Sequence, residues 1–132
     1  MALIQWRDSY SVGVARFDKE HRRLVELIND MFIIVRDKGD STALNTVVQA
    51  LIEYTEYHFS SEEEAMEEAN YPDLVEHKQH HADLKKKVTT FLEQITAGGE
   101  EVRTELYHFL REWLINHIVK EDKKYTEYLK PS

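Results

Sequence analysis

Seven histidine and carboxylate side chains are spaced along this chain as metal ligands could be. His58 lies four residues before Glu62, and the pair His77 and His81 has the same spacing. Residues four apart share one face of an α-helix, so each pair can direct two donor atoms to a common point. Seven donors exceed the four that a zinc ion usually takes, and they favour two metal ions that share the carboxylates. The candidate ligands are His21, His58, Glu62, His77, His81, His117 and Asp122.

The composition limits the kinds of site and partner that this chain can have. Its 132 residues suit one domain with one core. Because the chain contains no cysteine, any metal must be held by nitrogen and oxygen ligands. The net charge of -8, without a basic stripe, argues against nucleic acid or an anionic membrane as the main partner. The sequence shows no signal peptide and no apolar run that could span a bilayer, so we expect a cytoplasmic protein.

The spacing of the apolar residues predicts four helices that position the candidate ligands. Few glycines and prolines interrupt the chain, which favours long helices over a turn-rich β fold. Gly39-Asp40 and Gly98-Gly99 break the helical pattern at two places. The predicted helices cover about 19–37, 41–69 and 74–96, and a fourth begins near residue 100.

We therefore expect an all-α fold, an antiparallel up-down-up-down four-helix bundle with an extended N-terminal arm. One domain covers residues 1–132. Residues 1–17 form the arm, and residues 18–129 contain the bundle and a C-terminal closing segment. Asp18 is the expected N-cap of the first helix. In this topology the early parts of the first and third helices lie level with the late parts of the second and fourth, so all candidate ligands meet at one end.

The two remaining histidines are expected to lie outside the cluster. His80 precedes His81 by one residue, which places it about 100° around the helix and facing sideways or outward. His108 is about half a turn out of phase with His117 and should face solvent.

The spacing between His117 and Asp122 does not suit a regular helix. The two residues are five apart, which leaves them about 140° apart on an ideal α-helix. Either the helix ends after His117 or a π-type bulge realigns the two side chains.

The candidate ligands and their neighbours resemble the sequence pattern of the hemerythrins. The matching motifs begin at His58 (His-Phe-Ser-Ser-Glu), at His77 (His-Lys-Gln-His-His) and at His117 (His-Ile-Val-Lys-Glu-Asp). The stretch from Trp6 to His21 is similar to that of the bacterial single-domain branch, so the resemblance covers essentially the whole chain.

The resemblance implies a non-haem di-iron centre with an oxo or hydroxo group as a third bridge. The iron with only two histidine ligands would have an open position, and oxygen would bind there. The implied ligands are His77, His81 and His117 for one iron, His21 and His58 for the other, and Glu62 and Asp122 as bridges.

The function implied by the resemblance is reversible oxygen binding by a carrier, store or delivery protein that is not an enzyme. Molecular oxygen is the expected ligand, and an oxygen-consuming enzyme is a candidate partner. Since the outer faces carry no evident coiled-coil seam, a monomer is the default.

Bulky side chains next to the ligands are expected to line an oxygen pocket. Each is adjacent to a candidate ligand or about one helical turn from it. A dry lining would keep water and protons from bound oxygen, although the same residues would also serve as ordinary core. The predicted lining is Leu24, Phe59, Trp113, Leu114 and Ile118.

Three other interpretations remain open. A ferritin-like di-iron oxidase, or iron-handling protein, uses Glu-x-x-His motifs on two helices, but only Glu105-Leu-Tyr-His108 matches, and it points away from the cluster. An oxygen or redox sensor would use the same centre and report to a partner. A structural bundle could hold zinc or manganese with the same ligands.

Substituting two of the histidines separates the predicted cluster from the predicted surface. We expect His58→Ala to abolish oxygen binding, because it removes a ligand, and His108→Ala to leave binding unchanged. Optical oxygen titration of the iron-loaded variants measures both effects. Equal effects of the two substitutions would contradict the predicted helix phasing.

Overall fold

The computed structural model describes residues 3–37, 41–96 and 100–129, and within these ranges it contains helices and no strand. Helix α1 packs against α2 and α4, and α3 packs against the same two helices. With short connections this arrangement is the up-down-up-down bundle, so the expected fold class is confirmed. The predicted breaks at 39–40 and 98–99 lie outside the described residues. The helices are Ala15–Arg36 (α1), Ser41–Glu68 (α2), Leu74–Thr96 (α3), Glu100–Asn116 (α4) and the short Thr126–Leu129 (α5).

The apolar faces of the four long helices form one core. In α1, Leu24, Ile28 and Met31 recur at helical spacing and are buried, so this face turns inward. Leu106 and Leu110 do the same in α4. The opposite faces are mostly polar, and none of the described helices has an apolar stretch long enough to cross a membrane. Burial of the apolar face therefore fixes the rotation of each helix about its own axis. The candidate ligands lie on the same faces, so they also point into the bundle.

The N-terminal arm reaches α1 earlier than the sequence predicted. The expected N-cap role of Asp18 is wrong, because α1 begins at Ala15 and the residue before it, Val14, has extended backbone. Asp18 lies inside the first turn, where its carboxylate accepts hydrogen bonds from the Ser11 hydroxyl at 2.5 Å and the Val12 backbone N–H at 2.8 Å. The side chain therefore caps the arm rather than the helix.

The arm is joined to the C-terminal segment at Gly13. The hydroxyl of Thr126 donates a hydrogen bond to the carbonyl of Val12 at 2.5 Å. Gly13 has a φ of 75°, in the left-handed region that favours glycine. A Cβ at this position would lie 3.0 Å from Cγ2 of Thr126, so the tight approach of the two segments also requires glycine.

Replacement of this glycine should loosen the end of the bundle. We expect Gly13→Ala to lower the free energy of unfolding by about 1–2 kcal/mol, because an alanine is strained in the left-handed region. Chemical denaturation measures the change. The exposed arm residue Gln5 provides the control, and an effect of Gln5→Ala as large as that of Gly13→Ala would contradict this explanation.

Candidate metal centre

The bundle brings all seven predicted ligands together at one end, and each is at most 5% exposed. They form two groups that share Glu62 and Asp122, and within each group the candidate donor atoms lie within 4.8 Å of one another. We call them the three-histidine group and the two-histidine group. The first contains His77, His81 and His117 with the shared carboxylates, and the second contains His21 and His58 with the same carboxylates.

Three imidazole nitrogens converge in the three-histidine group. Nε2 of His117 lies 3.1 Å from Nε2 of His81 and 3.2 Å from Nε2 of His77. Oδ1 of Asp122 lies 2.9 Å from Nε2 of both His77 and His117. A neutral imidazole carries a single N–H, on one of its two ring nitrogens. The three Nε2 atoms therefore cannot all be paired by hydrogen bonds to each other. The remaining lone pairs point to a common centre, as they do around a cation.

The histidines of the two-histidine group contact the same two carboxylates as the three-histidine group does. Nε2 of His21 lies 3.0 Å from Oδ2 of Asp122, so this carboxylate directs one oxygen to each group. Oε1 of Glu62 lies 3.1 Å from Nε2 of His58 and 3.5 Å from Nε2 of His81, one nitrogen from each group. Both carboxylates therefore stand where bridging ligands would.

Several buried atoms of the cluster lack a well-formed hydrogen bond among the described residues. They are both ring nitrogens of His21, Oε1 of Glu62 and both oxygens of Asp122. A buried polar atom without a partner costs about 1–3 kcal/mol, so five such atoms in one place need another form of compensation. A metal ion provides it, and imidazole with carboxylate suits iron among other divalent metals. The residues present therefore fit a metal centre.

The buried carboxylates and imidazoles alter each other's proton affinity. Burial disfavours the charged form of Asp122, but attraction to His117 and the close approach of other imidazoles hold the pKa of its carboxyl well below the usual range. Burial also disfavours charge on His58, yet the Glu62 carboxylate raises the pKa of this imidazole to about 10. Burial lowers the pKa of His81 to about 4. Because a ligating imidazole must be neutral, metal binding to this cluster displaces protons.

A π-helical turn aligns His117 with Asp122. Residues His117–Glu121 form this turn, and a 3-10 turn, Asp122–Tyr125, follows it. The backbone N–H of Asp122 donates to the carbonyl of His117, five residues earlier. This wider turn places residues five apart on one face. Of the two alternatives that the spacing allowed, the structure contains the π-type bulge.

Two further carboxylates, which the sequence did not predict, contact the Nδ1 atoms of two of these histidines, on the far side of the ring from the centre. Nδ1 of His58 lies 2.6 Å from Oε1 of the buried Glu20, and Nδ1 of His81 lies 2.8 Å from Oε2 of Glu63. When the ring is neutral, as a ligating imidazole must be, donation of the Nδ1 proton to the carboxylate leaves the lone pair of Nε2 facing the centre. A ligating histidine needs such an acceptor, but helical spacing does not indicate which acid on a neighbouring helix provides it.

Tyr125 closes the centre from the C-terminal side. Its hydroxyl donates a hydrogen bond to Oε2 of Glu62 at 2.5 Å, and the side chain is fully buried. Burial and the nearby Glu62 and Asp122 carboxylates raise the pKa of this phenol well above its usual value. The phenol therefore stays protonated and fixes one oxygen of Glu62. The sequence predicted that this segment closes one end of the bundle, but not this contact.

Aromatic rings cover the histidines on the side of the core. Phe59 stacks on His81 with ring centroids 3.6 Å apart, and Trp113 stacks on His117 at 4.4 Å. Beyond them lies a small cavity of about 20 Å³. Four predicted pocket residues line it, namely Leu24, Phe59, Trp113 and Leu114. The fifth, Ile118, is fully buried but is not among the described residues that line this cavity.

The two histidines expected outside the cluster lie outside both groups in the described structure. His108 is exposed, as is Glu105, the other end of the single Glu-x-x-His match. His80 is half-buried at the edge of the bundle, with its Nδ1 3.9 Å from a carboxylate oxygen of Glu121.

The contact between Glu20 and His58 should strengthen metal binding. We expect Glu20→Ala to weaken cobalt(II) binding by about 10–100-fold, because the His58 ring loses the acceptor that orients it. Glu20→Gln keeps an acceptor oxygen and should restore part of the affinity. Anaerobic cobalt(II) titration, followed by its visible absorption, measures both variants.

The matched control is Glu26→Ala, which removes an exposed glutamate from the same helix. Its cobalt(II) affinity should equal that of the unmodified protein. An unchanged affinity in Glu20→Ala, or an equal loss in Glu26→Ala, would contradict the positioning role of Glu20.

Comparison with known proteins places this chain among metal-binding helical bundles. The family model "Hemerythrin HHE cation binding domain" matches residues 12–129. A bacteriohemerythrin of Stenotrophomonas maltophilia is 35% identical, covering 98% of this chain and 84% of the relative. A myohemerythrin of Theromyzon tessulatum is 33% identical, over 92% of this chain and 89% of the relative. The crystal structure of a wild-type hemerythrin matches with a TM-score of 0.90 and 30% identity, over 98% of this chain and 100% of that one. This chain belongs to the hemerythrin family.

Proposed function

We propose that this protein binds molecular oxygen reversibly at a centre of two iron ions, as an oxygen carrier, store or delivery protein. The observation that carries the proposal is the division of seven buried donors into two groups joined by two shared carboxylates. Family membership supports the same function. Glu62 and Asp122, which belong to both groups, would each help to hold both irons.

The unequal number of histidines in the two groups gives the centre a place for oxygen. The three-histidine group supplies one more protein ligand than the group of His21 and His58, so an iron held by the two-histidine group would keep a position for oxygen. Leu24 and Phe59, next to these ligands, line the apolar cavity. Exclusion of water by such a lining protects bound oxygen from proton transfer and loss.

The residues around the ligands keep the donor set rigid during binding. Glu20 and Glu63 orient one imidazole in each group, and Tyr125 holds an oxygen of Glu62. A pair of ferrous ions supplies, when bound, the two electrons that an oxygen molecule takes up reversibly. Five neutral imidazoles and only two carboxylates should favour return of those electrons over further oxidation of the centre.

We further propose that this protein acts as a binding protein rather than an enzyme. A ferritin-like oxidase needs Glu-x-x-His motifs directed into the bundle. Glu105 and His108, which form the one such match, are both exposed.

Oxygen binding can be tested on the purified protein by visible spectroscopy. After anaerobic loading with two ferrous ions per chain, admission of oxygen should produce a ligand-to-iron charge-transfer band. The band should disappear under vacuum and return with oxygen. The same protein loaded with zinc is the control and should show no band.

Two other results would contradict the proposed function. Zinc in the isolated protein, together with no band after iron loading, would contradict the di-iron centre. Continuous consumption of oxygen and ferrous iron would indicate an oxidase.

A further inference from the structure

Two cavities near the candidate metal centre share part of their lining. The inner cavity, of about 20 Å³, is the one lined by Phe59 and Trp113. The outer cleft, of about 70 Å³, lies against Glu56, Lys85 and Thr89, which are exposed. A space of about 10–15 Å³ holds one water molecule, so the outer cleft has room for several molecules of that size and the inner cavity for about one. Four residues line both cavities, namely Leu51, Thr55, Leu84 and Leu110.

The separation between the outer cleft and the metal ligands is short. The ammonium group of Lys85, at the outer cleft, lies 6.0 Å from the centre of the Phe59 ring. Phe59 lines the inner cavity and stacks on His81. The four side chains that line both cavities come from α2, α3 and α4. They form the single layer between solvent and the Phe59 ring, which covers His81.

The shared layer suits an apolar molecule better than water or an ion. Three of its four members are leucines. The hydroxyl of the fourth, Thr55, already donates to the carbonyl of Leu51 at 2.6 Å. A buried water needs about 2–4 polar partners, and an ion would lose its hydration without compensation. An oxygen molecule needs neither.

We propose that the cleft between α2 and α3 is the route by which oxygen reaches the centre, and that Leu84 and Thr55 form its gate. This inference rests on the proposed function. Thr55 is half-buried and Leu84 is buried, and they come from the two helices that border the cleft. Because a gate lies on the path and not at the binding position, it controls how fast oxygen enters and leaves without changing how tightly it binds.

Substitution of Leu84 should change both rates together. We expect Leu84→Ala to raise the association and dissociation rate constants of oxygen about tenfold each, and Leu84→Phe to lower both by about the same factor. The equilibrium dissociation constant should stay within about twofold in each variant, since a change in the barrier alone cancels from the equilibrium. Laser photolysis of the oxygenated protein and stopped-flow mixing measure the rates.

The control is Leu44→Ala, which removes an equally buried leucine near the start of α2, away from both cavities. It should destabilise the fold to a similar degree and leave the oxygen rates unchanged. Unchanged rates in both Leu84 variants would overturn the gate. A changed dissociation constant with an unchanged association rate would also overturn it, because Leu84 would then belong to the binding position.

Xenon provides a test that does not depend on oxygen binding. Crystals of the iron-loaded protein under xenon pressure should contain xenon in the outer cleft, and Leu84→Ala crystals should contain it in the inner cavity as well. Absence of xenon from both cavities in both proteins would overturn the route. If the iron-loaded protein shows no oxygen band but xenon fills the route, the proposed function fails and the path for an apolar gas stands.

Discussion

The carboxylate of Asp122 is the contact on which the rest of the centre depends. One of its oxygens faces His77 and His117, and the other faces His21. These partners come from three different elements, so a single buried carboxylate joins the first, third and last parts of the bundle. Burying such a charge is costly unless it is paired. The convergence of imidazoles on Asp122 offsets part of that cost, and the same convergence forms the metal site, where a bound ion would offset the rest.

The site has two layers of residues, the donors that would bind the metal and the residues that orient those donors. The inner layer contains the donors themselves. The outer layer contains Glu20, Glu63 and Tyr125, each bonded to one donor, and the aromatic rings stacked on His81 and His117. Because the outer residues fix tautomer and ring orientation, the inner donors need little rearrangement when a metal binds.

Helical periodicity was enough to predict the four-helix fold and the face on which the candidate ligands lie, since one inward direction per helix follows from the apolar pattern. It could not predict contacts that depend on how neighbouring helices are rotated against each other, as for Glu20 with His58. It also misassigned Asp18, because a carboxylate near a helix start can bond the preceding loop instead of the helix. The role of Ile118 in an oxygen pocket stays a prediction, since nearness to a ligand along the chain does not show what its side chain contacts.

The π turn at His117–Glu121 amounts to one surplus residue in the register of the last long helix. In a continuous α-helix the same residue would rotate every later position away, so Asp122 and Tyr125 both owe their inward direction to the wider turn that absorbs it. Loss of one residue between His117 and Asp122 would leave them four apart, and a regular α-helix would then align the two side chains without a wider turn.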